Sequence, residues 1–381
     1  MSNHSVRNVP RYFKPFVNDC LANSYGAVLT YLGQNPDIIL ADYLSFLYDP
    51  ATEFIGVNYC FWSATSVMFS EDVLNTSYEL LNIRPTVIFD QNIPVKPDHL
   101  PGDQVQVNIF VHDDPAVAYA RTKQLIDHDI PVIAALDLYH MDYHRAFQKE
   151  HGLHCVIITG YNEAEDWFEM FDKYEISSSD FDGKQPVDKV KLARTAESVV
   201  SNPVTGKWRR MIRNLWMELN ISPEFKITED RLFNILRESC RRMLSRTKVL
   251  GHQCGLEALA AFRDDLIRKK ENLLDERNLF YFKTYLNTNF KGIARNRMRF
   301  KAFLDAISHL LPGELVSGMA VGLDESSKNW NIIANLALKI GITKSPDLID
   351  NMDRRLEAVR EIETRMIHRL ENFLTNTSYK I

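Results

Sequence analysis

The sequence is poor in the features that would name a chemistry at once. Its 381 residues hold five cysteines, Cys20, Cys60, Cys155, Cys240 and Cys254, widely spaced and with no CxxC pair. An odd, scattered set excludes a disulfide scaffold and a cysteine-rich zinc module, and suits a reducing cytosol. No GxGxxG and no GxxxxGK[ST] run occurs, so a nucleotide-driven enzyme is not expected. The longest strongly apolar run, Ile130 to Leu136, is far below the roughly 18 residues that cross a bilayer. The N-terminal MSNHSVRNVPRYFKPF lacks the continuous apolar stretch of a secretory signal. Together these absences lead to the expectation of a cytoplasmic protein with no membrane association. There is no excess of positive charge either: 45 Lys and Arg against 50 Asp and Glu leave −5, which argues against a wholesale nucleic-acid binder.

What is present reads as an ordinary globular chain, 45% apolar and 25% charged, long enough for two or three domains. The two halves differ. Val105, Val107, Ile109 and Val111 alternate with polar residues at the period of a half-buried strand. Pro131–Leu136, Cys155–Thr159 and Trp167–Phe171 read as buried strands, with Pro85–Phe89 a weaker one, and helices are expected near 20–32, 62–81 and 115–128. This gives an α+β domain over 1–175. Ser, Gly, Asp and Pro accumulate over 176–206, which reads as a linker around a short helix. Residues 207–381 then read as an all-α domain. Leu232, Ile235, Leu236, Ser239 and Met243 recur at helical spacing, as do Phe300, Phe303, Leu304, Ile307 and Leu311. A long amphipathic helix carrying Met352, Leu356, Val359, Met366, Leu370 and Phe373 closes the chain; it either packs within its own domain or builds a homodimer. Basic clusters at Lys207–Arg210, Arg241–Lys248 and Arg268–Lys270 are solvated helix faces or a docking face for an acidic partner.

Three places carry candidate chemistry. In Asn18-Asp19-Cys20 followed by an apolar helical stripe ending at Gly33, Asn18 or Asp19 supplies an N-cap and Gly33 a C′ residue. Cys20 then stands in the first helical turn, where exposed N–H groups favour a thiolate and can hold an oxyanion; the plain alternative is a buried small hydrophobe. In the second place, His154 opens an apolar strand, and Asp172 closes the next. If the two strands form a hairpin through Asn162–Asp166, the imidazole and the carboxylate become neighbours, and the carboxylate fixes the ring's tautomer. Cys, His and Asp in this order are the arrangement of a papain-like site; a packed structural histidine is the alternative. The third is Asp137-Leu-Tyr-His-Met-Asp-Tyr143-His144, which follows a buried strand, so that Asp137, Tyr139, Tyr143 and His144 emerge where ligands are often held. A competing reading takes His140, His144, His151 and His154 as zinc ligands, but no HExxH pattern accompanies them, and no metal is expected.

These residues carry a resemblance. Asp19-Cys20 to Gly33, Ile130 to Tyr143 and His154-Cys-Val-Ile-Ile-Thr-Gly-Tyr161 through Asp172 resemble the butirosin-biosynthesis protein H N-terminal family. Gly251-His-Gln-Cys-Gly-Leu-Glu-Ala-Leu, Arg299–Leu304 and Lys328-Asn-Trp330 are similar to its accompanying helical domain. The resemblance implies a papain-like fold, with a Cys-bearing helix on an antiparallel sheet. It implies an acyltransferase that moves an acyl group from a carrier-protein thioester to an amine of a small metabolite, through a Cys acyl-enzyme. Cys20 would be the nucleophile, His154 the base and then acid, and Asp172 the orienting carboxylate. No resident cofactor is implied, since the phosphopantetheine arrives on the carrier-bound donor. The related leader peptidases place a Gln six residues before the Cys as oxyanion donor. Here that position is Lys14, leaving Asn18 or the Cys20 N–H to serve. A hydrolase on the same triad (peptidase, amidase or thioesterase) and a non-catalytic binding module are the alternatives.

Overall fold

A computed structural model describes residues 2–12, 14, 20–41, 43–57, 83–88, 105–172, 181–202, 206–249 and 251–376. In chain order the first elements are β1 (Asn3–Ser5), α1 (Cys20–Tyr31), the single turn α2 (Pro36–Ile39), β2 (Leu47–Asp49), β3 (Phe54–Gly56), β4 (Ile83–Ile88) and β5 (Val105–Phe110). There follow α3 (Pro115–Asp127), β6 (Val132–Asp137), β7 (Leu153–Asn162), β8 (Trp167–Asp172), β9 (Phe181–Pro186), α4 (Val187–Thr195), β10 (Glu197–Asn202), β11 (Gly206–Met211) and β12 (Trp216–Ile221). The rest comprises α5 (Glu229–Met243), β13 (Lys248–Val249), β14 (His252–Cys254), α6 (Gly255–Arg268), α7 (Glu276–Phe280), α8 (Asn287–Ala306), α9 (Gly313–Thr343) and α10 (Asp347–Asn376). The architecture is α+β, in two compact units: residues 1–40 with 60–227, and residues 41–59 with 228–381.

The first unit is organised by a sheet of order β4-β5-β12-β6-β7-β8-β9, with β1 added beside the end of β7. All described pairings are antiparallel except β4 with β5. The central strands are buried on both faces: every residue of β6 is buried, as are eight consecutive residues of β7. That explains why they read as continuous apolar runs rather than alternating ones. α1 is buried from Leu21 to Leu29 and reaches across to β12, where the Tyr25 hydroxyl meets Met217 Sδ at 3.0 Å. It ends as its Gly predicts. Gly33 takes φ +77, and the N–H groups of Gly33 and Gln34 donate to the carbonyls of Thr30 and Leu29. α3 opens on an Asp114 cap with Pro115 in its first turn. Arg121 of α3 makes a buried two-pronged bond to Glu218 of β12, both contacts 2.9 Å.

Two expectations about organisation change here. The stretch 176–206 is not a plain linker. Its described part holds β9, which extends the main sheet, together with α4 and β10. Ser, Gly and Pro mark the ends of short strands as well as linkers, and polar β9 lacks the apolar alternation that announces a strand. Nor is everything beyond 206 helical: β11 pairs with β10, and β12 lies between β5 and β6. The domain boundary therefore falls at 227/228 rather than near 206. The expected helix at 62–81 lies outside the described residues.

The second unit is mainly helical, as its periodicity predicts: Leu232, Ile235, Leu236, Ser239 and Met243 form the buried stripe of α5, and Met352, Leu356, Val359, Met366 and Leu370 that of α10. It also carries a small antiparallel sheet, β13-β14-β2-β3, which the all-α expectation omits. These strands are only two or three residues long, too short for a periodic signal. Phe46 stacks on Trp330 at 5.6 Å in the core. Arg297 and Glu363, both wholly buried, pair at 2.7 Å, and Ser326 and Trp330 also donate to the carboxylate. Among the described residues no helix is long and apolar enough to cross a membrane.

Candidate active site

The hairpin expected from the sequence forms. β7 and β8 pair antiparallel with Ile157 opposite Phe171. The turn is built by Asn162, whose side-chain oxygen accepts the N–H groups of Ala164 and Glu165, and by Asp166 in the left-handed region at φ 54. In this register His154 and Asp172 are diagonal neighbours on one face of the sheet. The ring's Nε2 lies 2.8 Å from Asp172 Oδ1, and both side chains are almost wholly buried. With Nε2 given to the carboxylate, Nδ1 is the ring atom left to meet a second partner.

Cys20 is the first residue of α1, and α1 packs on β7. Its thiol is hydrogen-bonded to His154 and to Cys155. It is partly exposed, whereas Cys155, Cys240 and Cys254 are buried; Cys60 lies outside the described residues. Hydrogen bonding by the Cys155 side chain, then the charge and hydrogen bond of His154, hold the Cys20 thiol well below its ordinary range, against burial that pushes it up. On Cys240 and Cys254 burial prevails, pushing them up to about 12 and about 11. His154 is raised well above the usual imidazole value. Burial opposes its charge, but Asp172 and Cys20 outweigh it. Thiolate and imidazolium thus support one another, and Asp172 anchors the pair.

The remaining candidates divide. Tyr143, expected at a ligand contact, donates its hydroxyl to Asp172 Oδ2 at 3.2 Å and stacks on Phe181 at 4.2 Å. The Asp172 carboxylate is therefore held at both oxygens. Asp137 is engaged within the fold. It is completely buried, with Oδ2 on His151 Nδ1 at 2.6 Å and Oδ1 accepting from Gly152 N–H at 2.9 Å and Ser198 Oγ at 3.1 Å. It ties the loop 138–152 to the start of β7. Tyr139 stacks on His151 at 4.3 Å. His144 is buried, its ring 6.2 Å from that of His154. Lys14 pairs with Asp37 at 2.7 Å. Asn18, the other candidate oxyanion donor, lies outside the described residues. Of the four histidines read as zinc ligands, His151 and His154 are bound to different carboxylates, and His140 stands edge-on to Tyr139. No three His, Cys, Asp or Glu among the described residues converge as a metal set.

Sequence reasoning did not foresee the double hold on Asp172 or the contact of Cys155 with the thiol. Tyr143 lies 29 positions from Asp172 and no local pattern links them. Cys155 stands next to His154 in sequence, and that adjacency was the only available signal.

Residues 93–173 match the family model of butirosin biosynthesis protein H, N-terminal. A comparison with curated proteins returns no match. The butirosin biosynthesis protein H match spans the sheet strands β5 to β8 and includes His154 and Asp172, while Cys20 precedes it. The family takes its name from a protein of butirosin biosynthesis.

Proposed function

We propose that the chain is a cysteine-dependent acyltransferase of specialised-metabolite biosynthesis, taking an acyl group from a carrier-protein thioester and passing it to an amine. The observation that carries this reading is the relay Cys20–His154–Asp172: a depressed thiol hydrogen-bonded to a raised imidazole that is anchored on a buried carboxylate. The family match supports the biosynthetic setting.

In the first half-reaction the Cys20 thiolate attacks the thioester carbonyl. The tetrahedral oxyanion is met by N–H groups at the start of α1, where one well-placed donor is worth about 3 kcal/mol. Collapse breaks the donor's C–S bond, and the leaving thiolate takes the proton from His154. In the second half-reaction an amine attacks the Cys20 acyl thioester and gives a proton to His154. The Cys20 thiolate then leaves, and the product is an amide. Thioester to amide is downhill, so no nucleoside triphosphate is required. Phosphopantetheine enters on the carrier as part of the donor.

The test is incubation with an acyl-N-acetylcysteamine thioester and intact-mass measurement. The expected result is one added acyl mass in the wild type and none in Cys20→Ala. An acyl mass that persists in Cys20→Ala overturns the assignment. Adding a primary amine is expected to discharge the acyl-enzyme to the amide; release of free acid alone would reassign the site to hydrolysis.

A further inference from the structure

His144 is 7% exposed, and its Nε2 meets no hydrogen-bond acceptor among the described residues. Its Nδ1 accepts the Ala146 N–H at 3.0 Å. A backbone N–H can only donate, so the proton of the neutral ring sits on Nε2. The result is a buried donor with nothing to donate to, an arrangement folded proteins rarely leave in place without a use. The nearby acceptors are already engaged: Asp172 Oδ1 by His154 and Oδ2 by Tyr143. His154 gives its own nitrogens to Asp172 and Cys20. Burial first, and the positive charge of His154 second, disfavour a charge on His144, so the ring stays a neutral donor beside a charged one.

We infer that His144 Nε2–H is a binding donor for the acyl acceptor, holding an oxygen of the incoming molecule next to the amine that His154 deprotonates. The inference rests on the acyl-transfer reading above and adds a requirement to it: the acceptor carries a hydrogen-bonding oxygen close to its reactive nitrogen. Two observations place this donor with the acceptor rather than with the acyl oxyanion. The ring centroids of His144 and His154 lie 6.2 Å apart, close enough for one small molecule beside the two rings to reach both, accepting from one imidazole and donating to the other. And the adjacent Tyr143 donates to Asp172 Oδ2, which sets this stretch of the loop on the imidazole–carboxylate side of the site.

The experiment uses the full chain, acetyl-N-acetylcysteamine as donor, and two acceptors of equal size class, 2-aminoethanol and ethylamine. The ratio of their kcat/KM values is measured for the wild type, His144→Leu and His144→Gln. The ratio is expected to fall about tenfold in His144→Leu, the worth of one good hydrogen bond to a neutral group. His144→Gln, which keeps an N–H near the position of Nε2, is expected to retain most of it. A ratio unchanged in His144→Leu overturns the inference. So does a fall in acylation of Cys20 that matches the fall in transfer, since that is the mark of a merely structural residue. A further readout needs no turnover: in 15N-histidine-labelled protein, His144 is expected as the Nε2–H tautomer, its resonance shifted by 2-aminoethanol and not by ethylamine. An Nδ1–H tautomer, or no shift, refutes the role of His144 even if the protein proves inactive on thioesters. Failure of wild-type acylation with the expected NMR shift would refute the transferase reading instead.

Discussion

The state of the Cys20 thiol is open to direct measurement through its alkylation by iodoacetamide across pH. A thiol at the ordinary value of about 8.5 is about 0.3% thiolate at pH 6 and about a quarter thiolate at pH 8, so its alkylation rises about 75-fold over that range. Cys20 is held well below that value by Cys155 and His154, and its rate is expected to rise much less steeply over the same interval. The protein carries its own controls. Cys254, pushed up to about 11, is about one part in a thousand thiolate at pH 8, and Cys240, at about 12, about one in ten thousand; both are also buried. Peptide mapping after a short pulse is expected to find Cys20 modified well before either. His154→Ala removes the cationic partner and is expected to steepen the Cys20 profile, while the Cys155 contact still holds the thiol down. Two outcomes would refute the ion-pair reasoning: a wild-type Cys20 rate that climbs about 75-fold between pH 6 and 8, or a His154→Ala profile that matches the wild type.

The other predictions concern the anchor, the pH window and the second unit. Asp172→Ala leaves a buried imidazolium without its carboxylate, which typically costs about 3–5 kcal/mol; a fall in kcat of about two to three powers of ten is expected, and a loss under threefold would show that the 2.8 Å contact is not used. Thioester turnover should follow a bell. Its acid limb belongs to Cys20, whose depressed value means its stabilising charge is present above the unfolded thiol value and lost as pH falls through the folded one. Its alkaline limb belongs to His154, whose raised value means its contribution is complete below the unfolded imidazole value and lost as pH rises through the folded one. A profile that keeps rising through the alkaline range would be incompatible with this assignment. In the second unit, Glu363→Ala strands the buried Arg297 and should lower unfolding free energy by about 3–5 kcal/mol in urea titrations, whereas replacing both members with apolar residues should recover much of it. Gly255 sits at φ +77, and a Cβ there would stand 2.2 Å from the Arg242 carbonyl oxygen; Gly255→Ala should therefore destabilise by over 1 kcal/mol, measurable as a lowered Tm.

Much of the site could be read before any coordinates. Cys20 is legible because a helix start has a local grammar: an apolar stripe at helical spacing and a terminal Gly33. The His154–Asp172 pairing is legible because β7 and β8 are consecutive and joined by Asn162-rich turn chemistry, so their register follows from a local hairpin. The partners of Asp137 and Tyr143 were out of reach. Asp137 ends a buried strand and Tyr143 lies in the loop that follows, places that suit a ligand contact as well as a structural one. Only the packing assigns Asp137 to His151, Gly152 and Ser198, and Tyr143 to Asp172. The sheet order was equally hidden. β12 enters between β5 and β6 from a distance in sequence, and the charged Glu218 in its middle disguises a buried strand until Arg121 is seen beside it.

By itself, then, the sequence determined what local physics can carry: a helix that starts at a cysteine, a hairpin that joins a histidine to an aspartate, and amphipathic helices filling the second half. Contacts between distant residues were left to the tertiary structure, because they depend on three-dimensional closure and not on spacing. These are the Cys155 contact on the Cys20 thiol, the second hold on Asp172, the boundary at 227/228, and the unpaired proton of His144.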